Sequence, residues 1–279
     1  MGEEFAAKGR REDQRPVPGP PLTERLTELV RRRDLLLNLT HAELTARYKS
    51  TALGLAWSVV NPLLSLLILT IVFQHVVRLD IPNYPVFLLS ALLPWTFFQT
   101  GLTSATTSVT RSPALIKRVR IPRVFLPIAS ILASLVHFVT SLLLLFVLMA
   151  VVGTSFWPHL LLLPALAILQ VVCLVGLALA TCSLNVFYRD VEYAVNATLR
   201  VLFYLTPTFY PLAYVPARWL DLYLLNPMAG IVEIYRQTLV QGTLPSPRVL
   251  TMGVATSLAA LAVGVVIFWR LEPHFDDYL

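Results

Sequence analysis

Several apolar segments of this chain are long enough to cross a lipid bilayer as helices. A helix rises about 1.5 Å per residue, so roughly 20 consecutive apolar residues traverse the hydrocarbon core. A composition of 56% hydrophobic and 14% charged residues is typical of an integral membrane protein rather than of a soluble domain. We therefore predict an all-α integral membrane fold with six transmembrane helices, at about 55–77, 86–108, 124–152, 160–187, 194–213 and 249–269.

The positions of the cations predict the orientation of these spans. An even number of spans places both termini on the same side of the membrane. If that side is the cytosol, Lys and Arg are concentrated in the inner segments, and the outer segments hold Arg78, Arg218, Arg236 and Arg248. Because cytoplasmic loops carry the excess of Lys and Arg, we expect both termini to be cytoplasmic.

The parts of the chain that flank the spans are polar or amphipathic. Residues 1–21 are charged and proline-rich, which predicts a disordered cytoplasmic tail, and 270–279 form a cytoplasmic C-terminal tail. Between 22 and 54, leucines at helical spacing predict amphipathic interface helices. The second of these is expected to begin at Thr40, which has Glu43 three residues on in a capping-box pattern. The sequence leaves open whether these helices anchor the chain or dock a partner.

The loop between the second and third predicted spans is compact and basic. The stretch "RSPALIKRVRIPR" (111–123) holds five cations, two prolines and no acidic residue. Its prolines predict a short rigid helix whose apolar residues alternate with cations, a form suited to a cleft on a soluble motor. The alternative is that the cations only enforce topology and contact lipid phosphates. The candidate docking residues are Arg111, Pro113, Leu115, Ile116, Lys117, Arg118 and Arg120.

A second interrupted segment precedes the last span. Prolines interrupt it at 207, 211, 216 and 227, and each one breaks a helix. Asn226 is a predicted N-cap and Gly242 a predicted helix end. We expect two short re-entrant or surface helices on the outer side, at roughly 216–225 and 227–241, because non-helical backbone at this depth must be satisfied by protein or water.

The chain has none of the sequence patterns of an energy-converting or catalytic site. It contains no Gly-Lys dipeptide, so a Walker A phosphate loop is absent. No metal-ligand spacing and no nucleophile–base pair are recognisable, which predicts no metal and no cofactor in this chain. His137 stands alone in a span and is either a proton relay or a packing residue. Cys173 and Cys182 are nine positions apart on one helix, about 13.5 Å, which is too far for a disulfide. The sequence describes a conduit whose energy comes from elsewhere.

An ordered series of short motifs resembles a known family. Near the first span the series contains Arg47-Tyr48, Ser50, Leu53-Gly54, Trp57 and Asn61-Pro62. It continues through LLPWTFF (92–98), LIKRVRIPRVFLP (115–127), NVFYRDV (185–191), PTFYPL (207–212), NPM (226–228) and LEPHFDD (271–277). From about residue 25 onward the chain resembles the membrane subunits of type-2 ATP-binding-cassette exporters of O-antigen, capsule and teichoic acid.

The resemblance implies a half-transporter in the bacterial cytoplasmic (inner) membrane. Two copies of the chain would pair with two cytosolic ATPase subunits, which would bind the ATP and Mg. The basic loop would be the coupling helix, and 216–241 would be paired periplasmic gate helices. The substrate implied is a polyprenyl-pyrophosphate-linked glycan carried across the membrane, with no nucleic acid as partner.

The same resemblance suggests residues that handle the substrate. Arginine binds phosphate in a bidentate manner, so the candidates for the lipid pyrophosphate are Arg47, Lys49 and Arg200. For Arg200, a structural pairing with Glu192 is the alternative. Aromatic faces stack on sugars without fixing their register, so the candidates for the channel lining are Trp95, Phe97, Phe98, Phe203, Tyr204, Phe209 and Tyr210. Interfacial or packing roles are the alternative for these rings.

Two other functions compete with polysaccharide export. An exporter of the same architecture for drugs or small lipids would share the ATPase partner but need a lateral, lipid-facing cavity. A membrane-embedded glycosyl-lipid enzyme would need paired acidic residues at the membrane surface. Asp276-Asp277 is the one adjacent acidic pair near a predicted membrane edge, and no other catalytic group accompanies it.

Overall fold

The computed structural model describes residues 31–49, 52–113, 121–154 and 158–278. Most of these residues lie in helices joined by short turns. In chain order the α-helices of this part are α1 (Arg33–Tyr48), α2 (Trp57–Thr70), α3 (Tyr84–Ser108), α4 (Phe125–Val152), α5 (Leu163–Phe187), α6 (Asp190–Leu205), α7 (Leu220–Leu224), α8 (Pro227–Arg236) and α9 (Pro247–Leu271).

Five of the predicted spans are confirmed as continuous helical segments long and apolar enough to cross a membrane. Short 3₁₀ or π-helical turns extend α2, α5 and α9 beyond their α-helical cores. The five segments are Gly54–Val76, Tyr84–Ser108, Phe125–Val152, Pro158–Phe187 and Pro247–Phe275. The protein is therefore a multi-pass membrane protein.

The predicted span at 194–213 differs from the helix found there. Helix α6 begins earlier, at Asp190, and ends at Leu205 after 16 residues. At about 1.5 Å per residue this is roughly 24 Å, shorter than a hydrocarbon core of about 30 Å. The reason for the early end is Pro207, because a proline disfavours the helical conformation in the residue before it, and Thr206 is extended (φ −95°, ψ 139°). The prediction of a sixth full-length span is not confirmed.

Helix α3 lies at the centre of the bundle. In its most apolar stretch 78% of the residues are buried, against 11% in the span that contains α2. Helices α2, α4, α5 and α8 all pack against α3. The span that contains α2 is by contrast an exposed apolar face of the chain.

Helices α5 and α9 cross at very short range. A Cβ atom added at Gly264 would overlap the backbone of Gly176, and one added at Gly176 would overlap the backbone of Ala260. Ser257 is also buried on this side of α9. Small residues are required at this crossing, because only residues without bulky side chains let two backbones meet.

The N-terminal interface region differs from its prediction. Helix α1 runs without a break from Arg33 to Tyr48, so no helix begins at Thr40. The Thr40 hydroxyl donates instead to the carbonyl oxygen of Leu36 at 2.8 Å, as a threonine inside a helix does. The capping-box prediction is therefore wrong, and 22–30 of the predicted first interface helix lie outside the described residues.

The segment before the last span forms short helices as predicted. The Asn226 side chain accepts a hydrogen bond from the backbone N–H of Met228 and begins α8. A π-helical turn, Gln237–Gln241, extends α8 to Gly242, which adopts the left-handed conformation (φ 62°). The first of the pair consists of α7 and the preceding 3₁₀ turn Ala217–Trp219, close to the predicted 216–225.

Candidate functional site

The basic loop between α3 and α4 is attached to the rest of the protein on its N-terminal side. Arg111 Nη2 lies 3.9 Å from Glu192 Oε1, in the first turn of α6. Beside it, Asn185 donates to the hydroxyl of Thr110 at 3.3 Å and accepts from the backbone N–H of Glu192 at 3.2 Å. These contacts connect the end of α3 to the α5–α6 turn. Of the candidate docking residues, Arg111 and Pro113 are described, and Leu115, Ile116, Lys117, Arg118 and Arg120 lie outside the described residues.

The C-terminal side of the same loop is attached to the tail. Arg123 Nη1 donates to the carbonyl oxygen of Glu272 at 2.5 Å, and its guanidinium lies 5.7 Å from the centroid of the Phe275 ring. Phe275 is fully buried against Phe268 and Phe187. The predicted tail 270–279 is thus not separate from the bundle over its described residues. The N-terminal side of the loop contacts the α5–α6 turn, and its C-terminal side contacts the tail after α9. A displacement of the loop would therefore move both.

A cavity of about 220 Å³ lies where α1 leads into the first span. The end of α1 and the first turns of α2 form one side, and polar and aromatic residues of α3 and α4 form the other. Thr96 lies at the midpoint of α3 and His137 near the midpoint of α4, so the cavity reaches the middle of the bundle.

Arg47 is the cation of this cavity. Its Nη2 donates to the hydroxyl of Ser104 on α3 at 2.7 Å, and its Nε lies 3.7 Å from Glu43 Oε1. The side chain is only 22% exposed. Desolvation lowers the pKa of Arg47 from its ordinary value, and the nearby Glu43 carboxylate opposes this shift. The pairing with Glu43 at (i, i+4), which is the plain anchoring role, is present in the structure.

The other two pyrophosphate candidates lie apart from the cavity. Lys49 is exposed at the end of α1. Arg200 is exposed on α6, where it forms no ion pair with any described residue. Its alternative partner, Glu192, contacts Arg111 instead. The pairing of Arg200 with Glu192 is therefore not formed.

His137 connects two helices. The Tyr48 hydroxyl contacts the imidazole from α1, with Tyr48 Oη 3.1 Å from His137 Nε2, and the two ring centroids are 5.0 Å apart. The packing interpretation of His137 accounts for this geometry, since the histidine joins α4 to the end of the interface helix.

The predicted channel-lining aromatics fall into two groups. Trp95, Phe97 and Phe98 are each 2% exposed, so they are packing residues of α3 in this structure, and Phe97 also borders the cavity. Phe203 and Phe209 are partly buried. By contrast, the Tyr204 side chain is 66% exposed. The burial has a simple cause: α3 is the central helix, so its mid-span rings face neighbouring helices.

Tyr210 takes part in a contact that supports the outer segment. Its hydroxyl contacts the hydroxyl of Tyr223 and donates to the carbonyl oxygen of Tyr204 at 3.1 Å. The side chain is partly buried, so one face of the ring remains accessible. The contact joins the non-helical stretch after α6 to α7.

Arg236 is a buried residue for which the sequence predicted only a place among the outer cations. Its side chain is 1% exposed, and it donates to the carbonyl oxygens of Pro207 at 2.7 Å and Thr208 at 3.1 Å. Glu233 Oε2 lies 3.4 Å from its Nη1, and the Phe87 ring centroid lies 3.8 Å from the guanidinium carbon. One sequence signal could have indicated this buried pair. It is a glutamate and an arginine three positions apart, after a stretch with helix-breaking prolines.

The two buried charges are strongly desolvated. Burial raises the pKa of Glu233 above its ordinary value, although Arg236 attracts its carboxylate. Burial lowers the pKa of Arg236 to about 10, which still leaves it protonated near neutral pH. Arg236 therefore supplies the donors that the carbonyls of the non-helical stretch after α6 would otherwise lack.

The chain matches the family model described as ABC-2 type transporter over residues 34–240. The match covers most of the chain and extends from the interface helix to the end of the α8 region. The chain belongs to the ABC-2 type transporter family. The family that the ordered motifs of this ABC-2 type transporter predicted is thereby confirmed.

Curated relatives of this ABC-2 type transporter include exporters of surface polysaccharides. It is 34% identical over 255 residues to an O-antigen export system permease protein of Myxococcus xanthus. The match covers 90% of this chain and 94% of the relative. It is 32% identical over 251 residues to an O-antigen export system permease protein of Klebsiella pneumoniae, covering 88% and 95%. A polysialic acid transport protein of Escherichia coli is 22% identical over 233 residues, covering 82% and 90%.

Proposed function

We propose that this chain is the channel-forming permease of an ATP-driven exporter. Its substrate is a polyprenyl-pyrophosphate-linked cell-surface polysaccharide, which it carries across the bacterial cytoplasmic membrane. The observation that carries the proposal is the similarity to two O-antigen export permeases, at 32% and 34% identity over 88% and 90% of the chain. Similarity over nearly the whole length concerns the transport path as well as the fold.

The energy for export comes from a separate ATPase. The chain has no Walker A loop of its own, and its basic loop has the form of a docking element. Contacts of Arg111 with α6 and of Arg123 with the tail support a role in transmitting movement, because a loop attached on both sides moves its neighbours. Two cytosolic ATPase subunits would engage the two loops of a homodimer.

The polysaccharide passes between two copies of the chain. The span that contains α2 is exposed along most of its length, and α6 exposes Tyr193, Arg200 and Tyr204. Exposed aromatic and cationic side chains on the short helix α6 suit a polar path more than contact with lipid tails. Together these faces supply a wall of the channel, and the second copy supplies the opposite wall.

Deletion of the gene in its host tests this function. We expect surface polysaccharide to disappear while lipid-linked glycan accumulates inside the cell, and the wild-type chain to restore export. As a matched control, Arg248→Gln, which removes an exposed pair with Asp221, should restore export equally well. Unchanged surface polysaccharide in the deletion strain, with loss of a drug or small-lipid export activity instead, would overturn the proposal.

A further inference from the structure

One short stretch of the chain places six of its residues in a single cavity. Two of them end α1 and four lie in the first turns of α2, and the six that line the 220 Å³ cavity are Arg47, Tyr48, Trp57, Ser58, Asn61 and Pro62. The end of α1 and the first turns of α2 thus border the same space.

Asn61 is an exposed polar residue in an apolar span, and it has no hydrogen-bond partner in the described part of the chain. It is seven positions into the span Gly54–Val76 (54 to 61), about 10 Å along the helix. No residue in the described part of the chain hydrogen-bonds its carboxamide. A carboxamide without partners is costly at this depth, because the hydrocarbon core offers no water. Its two donors and one acceptor point to a polar group from outside the chain.

The facing wall supplies hydrogen-bond acceptors. Thr96, which is partly buried, and Thr100, which is exposed, line the cavity, and each hydroxyl donates its proton to a backbone carbonyl one turn earlier in its own helix at 2.8 Å. A hydroxyl whose proton is used in this way keeps oxygen lone pairs free. The cavity wall is therefore matched by a ligand that carries several O–H or N–H donors.

The rest of the lining includes an exposed aromatic ring and a guanidinium. Trp57 contributes ring surface, and Arg47 contributes positive charge. Rings accept apolar C–H faces, and a guanidinium binds phosphate oxygens. At about 220 Å³ the cavity lies below the roughly 300–1,000 Å³ of pockets for drug-sized ligands, so it admits one ring rather than a polymer.

We propose that this cavity binds the sugar residue that is attached directly to the lipid pyrophosphate. Asn61, Thr96 and Thr100 hydrogen-bond the sugar, Trp57 contacts its C–H face, and Arg47 contacts the adjacent phosphate. The inference rests on the proposed function and adds to it. It assigns substrate recognition to the first sugar of the glycan, at the start of the first span, and leaves the repeating units to the channel.

The test compares two soluble probes on the full chain with its ATPase in nanodiscs. The first is farnesyl pyrophosphate carrying one N-acetylglucosamine, and the second is farnesyl pyrophosphate without a sugar. We expect the wild type to bind the sugar-bearing probe more tightly. Asn61→Ala and Thr96→Val should each reduce that preference about threefold to tenfold, the loss of one net hydrogen bond, without changing affinity for the sugar-free probe.

A matched control separates the site from general effects on the first span. Thr70→Val removes a hydroxyl from the same span at a position outside the cavity lining, and should leave both affinities unchanged. Thermal unfolding of each variant checks that it is folded, and Thr100→Val replaces Thr96→Val if the latter is unstable.

Two outcomes would overturn the proposal. One is equal binding of the two probes by the wild type, and the other is a wild-type preference that Asn61→Ala, Thr96→Val and Thr100→Val leave intact. A change in dimer stability caused by Asn61→Ala, with probe preference unchanged, would assign the carboxamide to the second copy instead. The deletion experiment separates this site from the proposed function. If the wild-type gene restores polysaccharide export and one of the two overturning outcomes is found, the proposed function stands and only this site is removed.

Discussion

The guanidinium group of Arg236 donates a 2.7 Å hydrogen bond to the carbonyl oxygen of Pro207. Two further carbonyls, of Thr208 and Tyr210, lie within reach of the same group at 3.1 and 3.4 Å. One buried cation therefore pairs with three carbonyls of the non-helical stretch after α6. In a membrane protein such a stretch needs internal partners, because lipid supplies none.

Replacement of Arg236 should destabilise the protein strongly. Arg236→Met leaves Glu233 buried beside no cation and removes the donors to the Pro207 and Thr208 carbonyls. We expect a loss of about 3–5 kcal/mol in the free energy of unfolding, the cost of breaking a buried pair. Thermal or denaturant unfolding in detergent measures it.

The exposed pair of Arg248 and Asp221, 2.6 Å apart, is the matched control for this loss. Arg248→Gln should cost less than about 1 kcal/mol, because water screens an exposed pair. The double variant with Arg236→Met and Glu233→Leu should recover part of the loss. Equal stability of the Arg236 and Arg248 variants would contradict the role assigned to Arg236.

The crossing of α5 and α9 should tolerate no added atoms at Gly264. Gly264→Ala places a methyl group against the carbonyl oxygen of Gly176, so the two helices must separate. We expect a loss of about 1–3 kcal/mol, typical of overpacking. Ala255→Val, on an exposed position of the same helix, is the control and should be nearly neutral. A Gly264→Ala variant that unfolds at the wild-type temperature would show that the crossing is looser than described.

The basic loop should transmit the ATPase cycle. Replacing Leu115 and Ile116 with Asp is expected to abolish export and the stimulation of the ATPase by the permease, because charges cannot enter an apolar cleft. Membrane insertion should persist, which fractionation and unfolding measurements check. Transport that survives the double replacement would leave the loop with a topological role alone.

The purified chain should not hydrolyse ATP without its partner. It lacks the glycine-rich loop and lysine that cradle nucleotide phosphates. Phosphate release from ATP should equal the background of a mock purification, and addition of the ATPase subunit should raise it. Hydrolysis that co-purifies with this chain in the absence of the subunit would contradict the half-transporter assignment.

Arg47→Lys should weaken binding of the lipid pyrophosphate although the charge is kept. A lysine has no planar fork for bidentate phosphate contact, so we expect a loss of about 1–3 kcal/mol in affinity for farnesyl pyrophosphate in nanodiscs. Glu43→Gln removes the pairing with Arg47 but keeps the guanidinium, and should not weaken binding. Equal affinity of the wild type and Arg47→Lys would leave Arg47 as an anchor of α1.

Local patterns were sufficient for the parts of the fold that depend on neighbouring residues. Apolar length located five spans, and Asn226 and Gly242 begin and end the α8 region as predicted. Each of these features is set within a few residues of the chain by hydrophobic transfer, capping or backbone conformation. The early end of α6 belongs to the same class, since Pro207 was visible, but the apolar composition beyond it favoured a longer span.

The side-chain environments depended on packing between distant segments. Trp95 and Phe98 are apolar enough for a channel or a core, and only the central position of α3 places them in the core. Arg236 obtains its carbonyl partners from residues 26 to 29 positions earlier in the chain. The cavity around Asn61 exists because four helices meet there. An amino-acid sequence determines which segments enter the membrane, since that choice is made by transfer from water, whereas burial and pairing inside the membrane are decided by which helices lie next to one another.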